Sequence, residues 1–395
     1  MESFDLSKEY GLVLEGGGAK GAYQIGVWKA LKEYGVKIKG VSGVSVGALN
    51  GALICMDDLK AAQDIWENIS YSKVMNVNNE EMEKLMEGKF SEIDLAELTR
   101  QSTRVLADRG LDVAPLKQWI EELVDEDKIR ESPMEFMLGT FSLSRFKELE
   151  INVKEVAPGL LKDFLLASSY FPAFKKEKLH GEKFVDGGIL NNVPVDMLIK
   201  RGYKEIIVIR IYGIGMEKRV KVPEDVHIIE IAPRVNLGSM MEFGSRKSRR
   251  NLKIGYLDGI RCIRNLDGKI YYIADTREEP VYFNRLLHIP EEMAAECADY
   301  SKADYQELES RYRFLAEEFY PLAARELKLD RGWSYKELYL SFLELSAKIM
   351  HVPKYNVYTE KELREQVILK YEKWTGSPEA APPLAQLAIK IVISA

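Results

Sequence analysis

Near the amino end a short apolar run, "YGLVLE" (10–15), leads into a glycine cluster, and apolar residues then recur at helical spacing at Ile25, Trp28 and Leu31. A continuous short apolar run reads as a buried strand, and a stripe returning every three to four residues reads as one face of a helix. The pattern therefore predicts a strand at 10–15, a helix at 19–34 and a second strand at 36–41. The apolar "VGALNGALICM" comes next, carrying Gly47, Ala48, Gly51 and Ala52. Small residues let such a helix press its backbone against a sheet. Strand, helix, strand, helix in this rhythm predicts an α/β domain with a mostly parallel sheet.

From about 57 to 133 the pattern turns helical and polar, with "LKQWIEELV" its most amphipathic piece, and reads as an insertion long enough to shield an apolar channel. Strand patterns return at 136–143, 205–211 and 226–231. Beyond about 280 the chain is charged and helical to 376. A proline-rich joint, "SPEAAPP", then precedes the apolar tail "LAQLAIKIVISA", which is too short to cross a bilayer and reads as a docked final strand or helix. The expected division is one domain over 1–278 and a mainly helical region over 279–395.

Composition excludes several classes. The 395 residues are 46% hydrophobic and 30% charged, with a net charge of -6, so no overall basic field favours nucleic acid. One local cation cluster, "SRKSRRNLK" (245–253), has the character of an anionic head-group contact or of a solvated helix face. Neither a Sec signal pattern nor an apolar run of about 18 residues occurs, so a cytoplasmic protein without a transmembrane helix is expected. The three cysteines, Cys55, Cys262 and Cys297, lack metal-ligand spacing and read as reduced thiols, and no cofactor or metal is expected.

The chemistry sits in three short motifs. Gly16-x-Gly18-x-x-Gly21 taken alone is a dinucleotide fingerprint. That reading needs an acidic residue ending the second strand, and "VKIKGVSGVSVG" offers none. The strand ends instead in Gly43-x-Ser45-x-Gly47, the nucleophile-elbow pattern, set between a strand and a helix as its mechanics require. The glycine loop then reads as a cradle whose amides at Gly16, Gly17 and Gly18 face a developing oxyanion. Lys20 is the one charged side chain of that loop, and either steadies it or is simply solvated. A serine hydroxyl needs a base. Ser45–Asp186–His227 has the chain order of an α/β-hydrolase triad, but the elbow comes too early, and no histidine stands in a loop of catalytic character. "FVDGGILNNVPV" offers Asp186 instead, ending a strand ahead of the turn-forming Gly187 and Gly188.

Together "GGGAKG" (16–21), "GVSVG" (43–47) and "DGG" (186–188), with "ASSYFPAF" (167–174) and Asn192-x-Pro194, resemble the patatin-like phospholipases over roughly residues 8–260. Two departures, Glu15 where Asp or a small residue is common and Val44 where Thr is common, leave the dyad untouched. The resemblance implies a three-layer α/β/α fold and a serine acyl hydrolase acting on phospholipid or lysophospholipid. It implies Ser45 as nucleophile and Asp186 as proton acceptor, without histidine. The glycines at 16–18, with the Val46 amide, would form the oxyanion hole. Lys20, Gly21, Gly43, Gly47, Gly187 and Gly188 would support the motifs. A lipid substrate and transient contact with a membrane surface go with this. Two alternatives stay open: a catalytically silent member that binds lipid or a partner, and an acyltransferase.

Overall fold

The computed structural model describes residues 4–86, 88, 110–172, 174–175, 177–303, 308–373 and 381–394. Its chain divides into two compact units, residues 1–263 and 264–395. The middle of the insertion expected at 57–133 lies outside the described residues.

The first unit is built on a seven-stranded sheet. Strands β1 (Glu9–Leu14), β2 (Lys37–Val44), β3 (Glu135–Ser142), β6 (Glu205–Ile209) and β7 (His227–Ile231) run parallel in the order β3-β2-β1-β6-β7. β4 (Lys147–Asn152) and β5 (Phe184–Asp186) both pair antiparallel with β3. Central strands buried on both faces read as unbroken apolar runs, as "GLVL" and "IIVI" do. Helix α1 (Ala22–Glu33) comes after a single 3-10 turn over Gly18–Gly21, and α2 (Val46–Cys55) comes after β2.

Alternate residues of β1 and β2 fix the three layers. Gly11 and Gly40 turn toward Tyr203, next to the helix Val195–Lys200, and Ser42 Oγ donates to the Pro194 carbonyl on that same face. Val41 and Gly43 turn the other way, toward α2. The sheet is thus flanked by helices on both faces, as the alternation of elements predicts.

β4 is not legible in sequence. "KELEIN" is half charged because the strand lies at the sheet edge and buries only its last two residues. The cation cluster opens one long helix, Ser245–Arg264. There Lys247 pairs with Glu242, and Arg249 and Arg250 donate to the carbonyls of Glu67 and Asn236.

The second unit has its own core, rich in aromatics such as Tyr271, Tyr282, Phe319, Tyr320, Tyr339 and Phe342. Its small sheet pairs β8 (Tyr272–Ala274) with β9 (Val357–Thr359), so residues 272–274 lie with this unit and the unit limit falls earlier than 278. The apolar tail is the helix Pro383–Ser394, which buries Leu384, Leu387, Ile389, Ile391 and Val392. Among the described residues no helix is long and apolar enough to cross a membrane.

Candidate active site

Ser45 stands in the one-residue gap between β2 and α2, with φ 53° and ψ −129°. A non-glycine residue held there is strained, and only closely packed surroundings keep it so. The flanking glycines show what holds it. A Cβ on Gly43 would collide with the Gly47 carbonyl, and one on Gly47 with the Leu14 carbonyl of β1. The Ser45 amide donates to Ser168 Oγ at 2.9 Å, and Ser168 Oγ in turn donates to the Gly139 carbonyl of β3 at 2.7 Å. Ser168 is fully buried and fastens the elbow to the sheet. Its motif is visible in the sequence, but nothing there marks this role.

The sheet itself brings Asp186 to the serine. β4 covers one edge of β3 over Thr140–Ser142, so β5, paired with the same three residues, must use the other edge. That is the edge β2 occupies up to Val44, which pairs with Gly139. β2 and β5 therefore meet end to end, and Asp186, opposite Thr140, arrives beside the residue after Val44. A Cβ on Gly187 would strike the Gly139 carbonyl, so glycine is needed for this approach.

Asp186 is 5% exposed. Burial pushes its carboxyl up to about 6, although the amide of Gly188 donates to it at 2.8 Å and, with the neighbouring Ser45 hydroxyl, pulls the other way. Its own amide donates to the Tyr170 carbonyl. His227 opens β7 at the amino ends of the parallel strands, whereas Ser45 sits at their carboxyl ends, so the triad order written from sequence has no spatial counterpart. His180 is exposed and pairs with Asp163.

The glycine loop divides its duties. The Gly16 amide donates to the Asn192 carbonyl at 3.2 Å and is spent on joining the loop to the segment after Asp186. Among the described residues no acceptor meets the Gly17 and Gly18 amides, and these two residues line the clefts on either side of Ser45. Gly18 has φ +56°, and a Cβ there would strike the Met240 carbonyl. Gly21 lies so close to Val46 and Trp66 that a side chain would push α2 away. The Lys20 ammonium, its pKa lowered by burial, donates to the Tyr212 carbonyl at 2.6 Å, holding the loop after β6 rather than facing Ser45.

Glu15, in sequence only a departure from the family pattern, is the hub of that loop. Its buried carboxylate accepts the amides of Ile211 (2.6 Å), Tyr212 (3.0 Å) and Gly213 (3.1 Å), with Arg210 Nε at 3.1 Å and Asn192 Nδ2 at 3.3 Å. The one available signal is a charge at the end of an apolar strand, where a buried carboxylate must find partners. Glu15→Ala leaves three amides without their acceptor, and is expected to cost about 3 kcal/mol or more of stability. A urea melt checks this as a lowered midpoint.

Two clefts meet at Ser45. One is walled by Leu49, Trp66, Ile69, Leu116, Trp119 and Phe243. Trp66, Ile69, Leu116 and Trp119 come from the segment 57–133. The other includes Gly17, Asp186, Gly188, Asn192, Ile214 and Met216. Phe171 and Met240 line both. Among the described residues no lysine, arginine or histidine lines either cleft. No cluster of potential metal ligands occurs among them.

A strained serine elbow, a buried aspartate and a glycine loop at the carboxyl ends of a mostly parallel sheet define a serine-centred α/β site. The family model of the patatin-like phospholipases matches residues 12–199. That segment, just under half of the chain, is thus similar to a patatin-like phospholipase domain. It is 29% identical over 199 residues to the neuropathy target esterase sws of Drosophila melanogaster, covering 50% of this chain and 12% of that protein. It is 25% identical over 198 residues to the patatin-like phospholipase domain-containing protein 7 of Rattus norvegicus, covering 50% of this chain and 13% of the relative. The chain thus spans only a small fraction of these relatives' length. Among solved structures it is similar to VipD from Legionella pneumophila, with 14% identity and a TM-score of 0.41 over 98% of this chain and 91% of that one.

Proposed function

We propose that this chain hydrolyses fatty-acyl esters of lipids, with Ser45 as nucleophile and Asp186 as the only base. The observation that carries this reading is a buried carboxylate, its pKa raised to about 6, brought by the sheet to the side of Ser45. An ordinary carboxylate near 4 is a poor acceptor for a hydroxyl proton, and burial moves Asp186 toward the working range.

Asp186 takes the Ser45 proton as Oγ bonds to the ester carbonyl carbon. The carbonyl oxygen becomes an oxyanion and accepts from the Gly17 and Gly18 amides, with the first amide of α2, at Val46, beside them. Collapse breaks the bond to the alcohol, which leaves with the proton held by Asp186. Water, deprotonated by Asp186, then attacks the acyl-serine, and the bond to Ser45 Oγ breaks as Asp186 returns the proton to it, freeing the fatty acid.

The walls of the first cleft suit an acyl chain. With no cation among the described residues of either cleft, a phosphate would have to be met outside them or not at all. The substrate class is thus acyl lipids generally, phospholipid and lysophospholipid included, drawn from a lipid surface. The three unpaired cysteines support a reducing compartment such as the cytoplasm.

Intact-mass measurement after exposure to a long-chain fluorophosphonate tests the assignment. One adduct is expected, on the peptide containing "GVSVGALN", and none on the Ser45→Ala chain. An unlabelled wild type, where a control lipase labels fully, would point to the silent-binding alternative.

A further inference from the structure

Large apolar side chains stand exposed at the same end of the sheet as Ser45. Leu143 and Phe146 occupy the turn from β3 to β4, and Tyr212, Ile214 and Met216 the loop after β6. Phe146 is 84% and Ile214 75% exposed. Single apolar residues on a surface are ordinary, but a cluster rimmed by charge marks an interaction site. Both connections leave the carboxyl ends of strands parallel to β2, as Ser45 does. They are also neighbours: Lys218 Nζ, just past the loop, lies 3.1 Å from Glu148 Oε2, just past the turn.

The loop is held firmly from below. Glu15 takes three of its amides, Lys20 its Tyr212 carbonyl, the Met216 amide donates to the Gly188 carbonyl, and the Met216 carbonyl accepts from Asn192. A loop so anchored has already lost its backbone freedom, so holding its side chains out costs little further entropy on binding. Ile214 and Met216 also line the second cleft, which makes the exposed rim continuous with the space beside Ser45. Exposed Arg145, Lys147, Lys218, Arg219 and Lys221 flank the apolar tips. Long cationic side chains beside apolar ones suit a water–lipid boundary, where the charged heads reach the surface while the apolar groups go under.

We propose that the turn at 143–146 and the loop at 212–216 form one face that inserts into a lipid surface and opens the second cleft directly onto it. A protein seated on this rim would stopper the cleft, whereas a lipid surface supplies it. The inference rests on the acyl-hydrolase reading for its purpose, but its binding step can be measured without catalysis.

The test uses the full chain with Ser45→Ala, sedimented with vesicles of phosphatidylcholine and phosphatidylglycerol. Leu143→Ser, Phe146→Ser and Tyr212→Ser are then combined, which leaves both cleft walls unaltered. Partitioning to vesicles is expected to fall about ten-fold or more. With Ser45 restored, vesicle hydrolysis should fall in proportion, while hydrolysis of a dissolved short-chain ester stays unchanged. A second variant, Phe146→Trp with Tyr212→Trp, should keep or raise binding and guards against loss through misfolding. Equal partitioning of the serine variant and its parent would overturn the proposal. So would a dimer in light scattering that the serine variant splits while vesicle binding persists, since the face would then join two copies. Failure of the hydrolase reading shows separately, as no turnover of the dissolved ester and no fluorophosphonate adduct.

Discussion

Replacing Asp186 by Asn is expected to lower kcat for ester hydrolysis about 10³- to 10⁴-fold while making the protein more stable above neutral pH. The expected activity loss follows from removing the proposed proton acceptor beside Ser45, since general-base removal costs about this much. Ser45→Ala should lose activity to a similar degree, and the double variant should be little worse than either single one, because the two act as a unit.

The stability gain comes from the sign of the pKa shift. Asp186 titrates near 6 in the fold against 3.8 for the free group, so between these values the folded chain binds the extra proton. Stability therefore falls as pH rises from about 4 to about 6, and the ionised site costs on the order of 3 kcal/mol above that window. The amide introduced by Asp186→Asn carries no charge to desolvate. The Tm of this variant should exceed that of wild type at pH 8 and converge with it near pH 4. The wild-type rate should rise with pH through a midpoint near 6, since protonated Asp186 cannot accept the serine proton. A pH–rate profile and thermal melts at the two pH values check both halves. Loss of activity without the stability crossover would show that Asp186 is not a buried charge.

The second large effect is expected from Gly47→Ala. The added methyl would overlap the Leu14 carbonyl oxygen, backbone against backbone, and no rotamer relieves it. β1 cannot retreat, because β2 and β6 hold it from both sides. Either α2 lifts from the sheet or the elbow opens, and each spoils the packing that keeps Ser45 at positive φ. A cost of about 4 kcal/mol or more is expected, enough to leave little folded protein. Gly244→Ala serves as control: no atom lies within 4 Å of its added methyl, and its Tm should stay within a few degrees of wild type. Soluble yield and thermal melts distinguish the two.

Gly43, Ser45 and Gly47 are readable in sequence because a strained turn under a close-packed helix excludes every side chain but hydrogen at its flanks, and that exclusion is written at fixed spacing. Gly187 and Gly188 carry the same kind of mark. Asp186 is readable only in their company. The roles of Ser168 and the Gly16–Asn192 link are not readable at all, and that of Glu15 shows only as a charge closing an apolar strand, since each is defined by a partner on a distant segment. The placement of β5 on the edge that β2 vacates is likewise hidden. Three residues carry no periodicity, and their position is set by what β4 already covers. The charged β4 escapes notice for a related reason, because an edge strand can satisfy its pairing while presenting most of its side chains to water.

The end-to-end meeting of β2 and β5 has a consequence in time. β1, β2 and their helices are drawn from the first 55 residues and can pair with little chain between them. The segment that completes the site arrives roughly 140 residues after Ser45, and such distant pairing is slow because a long loop must close before any contact rewards it. On the ribosome, where chains grow from the amino end, the elbow can be built long before Asp186 exists. If the proposed dyad is right, a chain assembled in this order is inert while nascent, and becomes reactive only when β5 takes its place on β3.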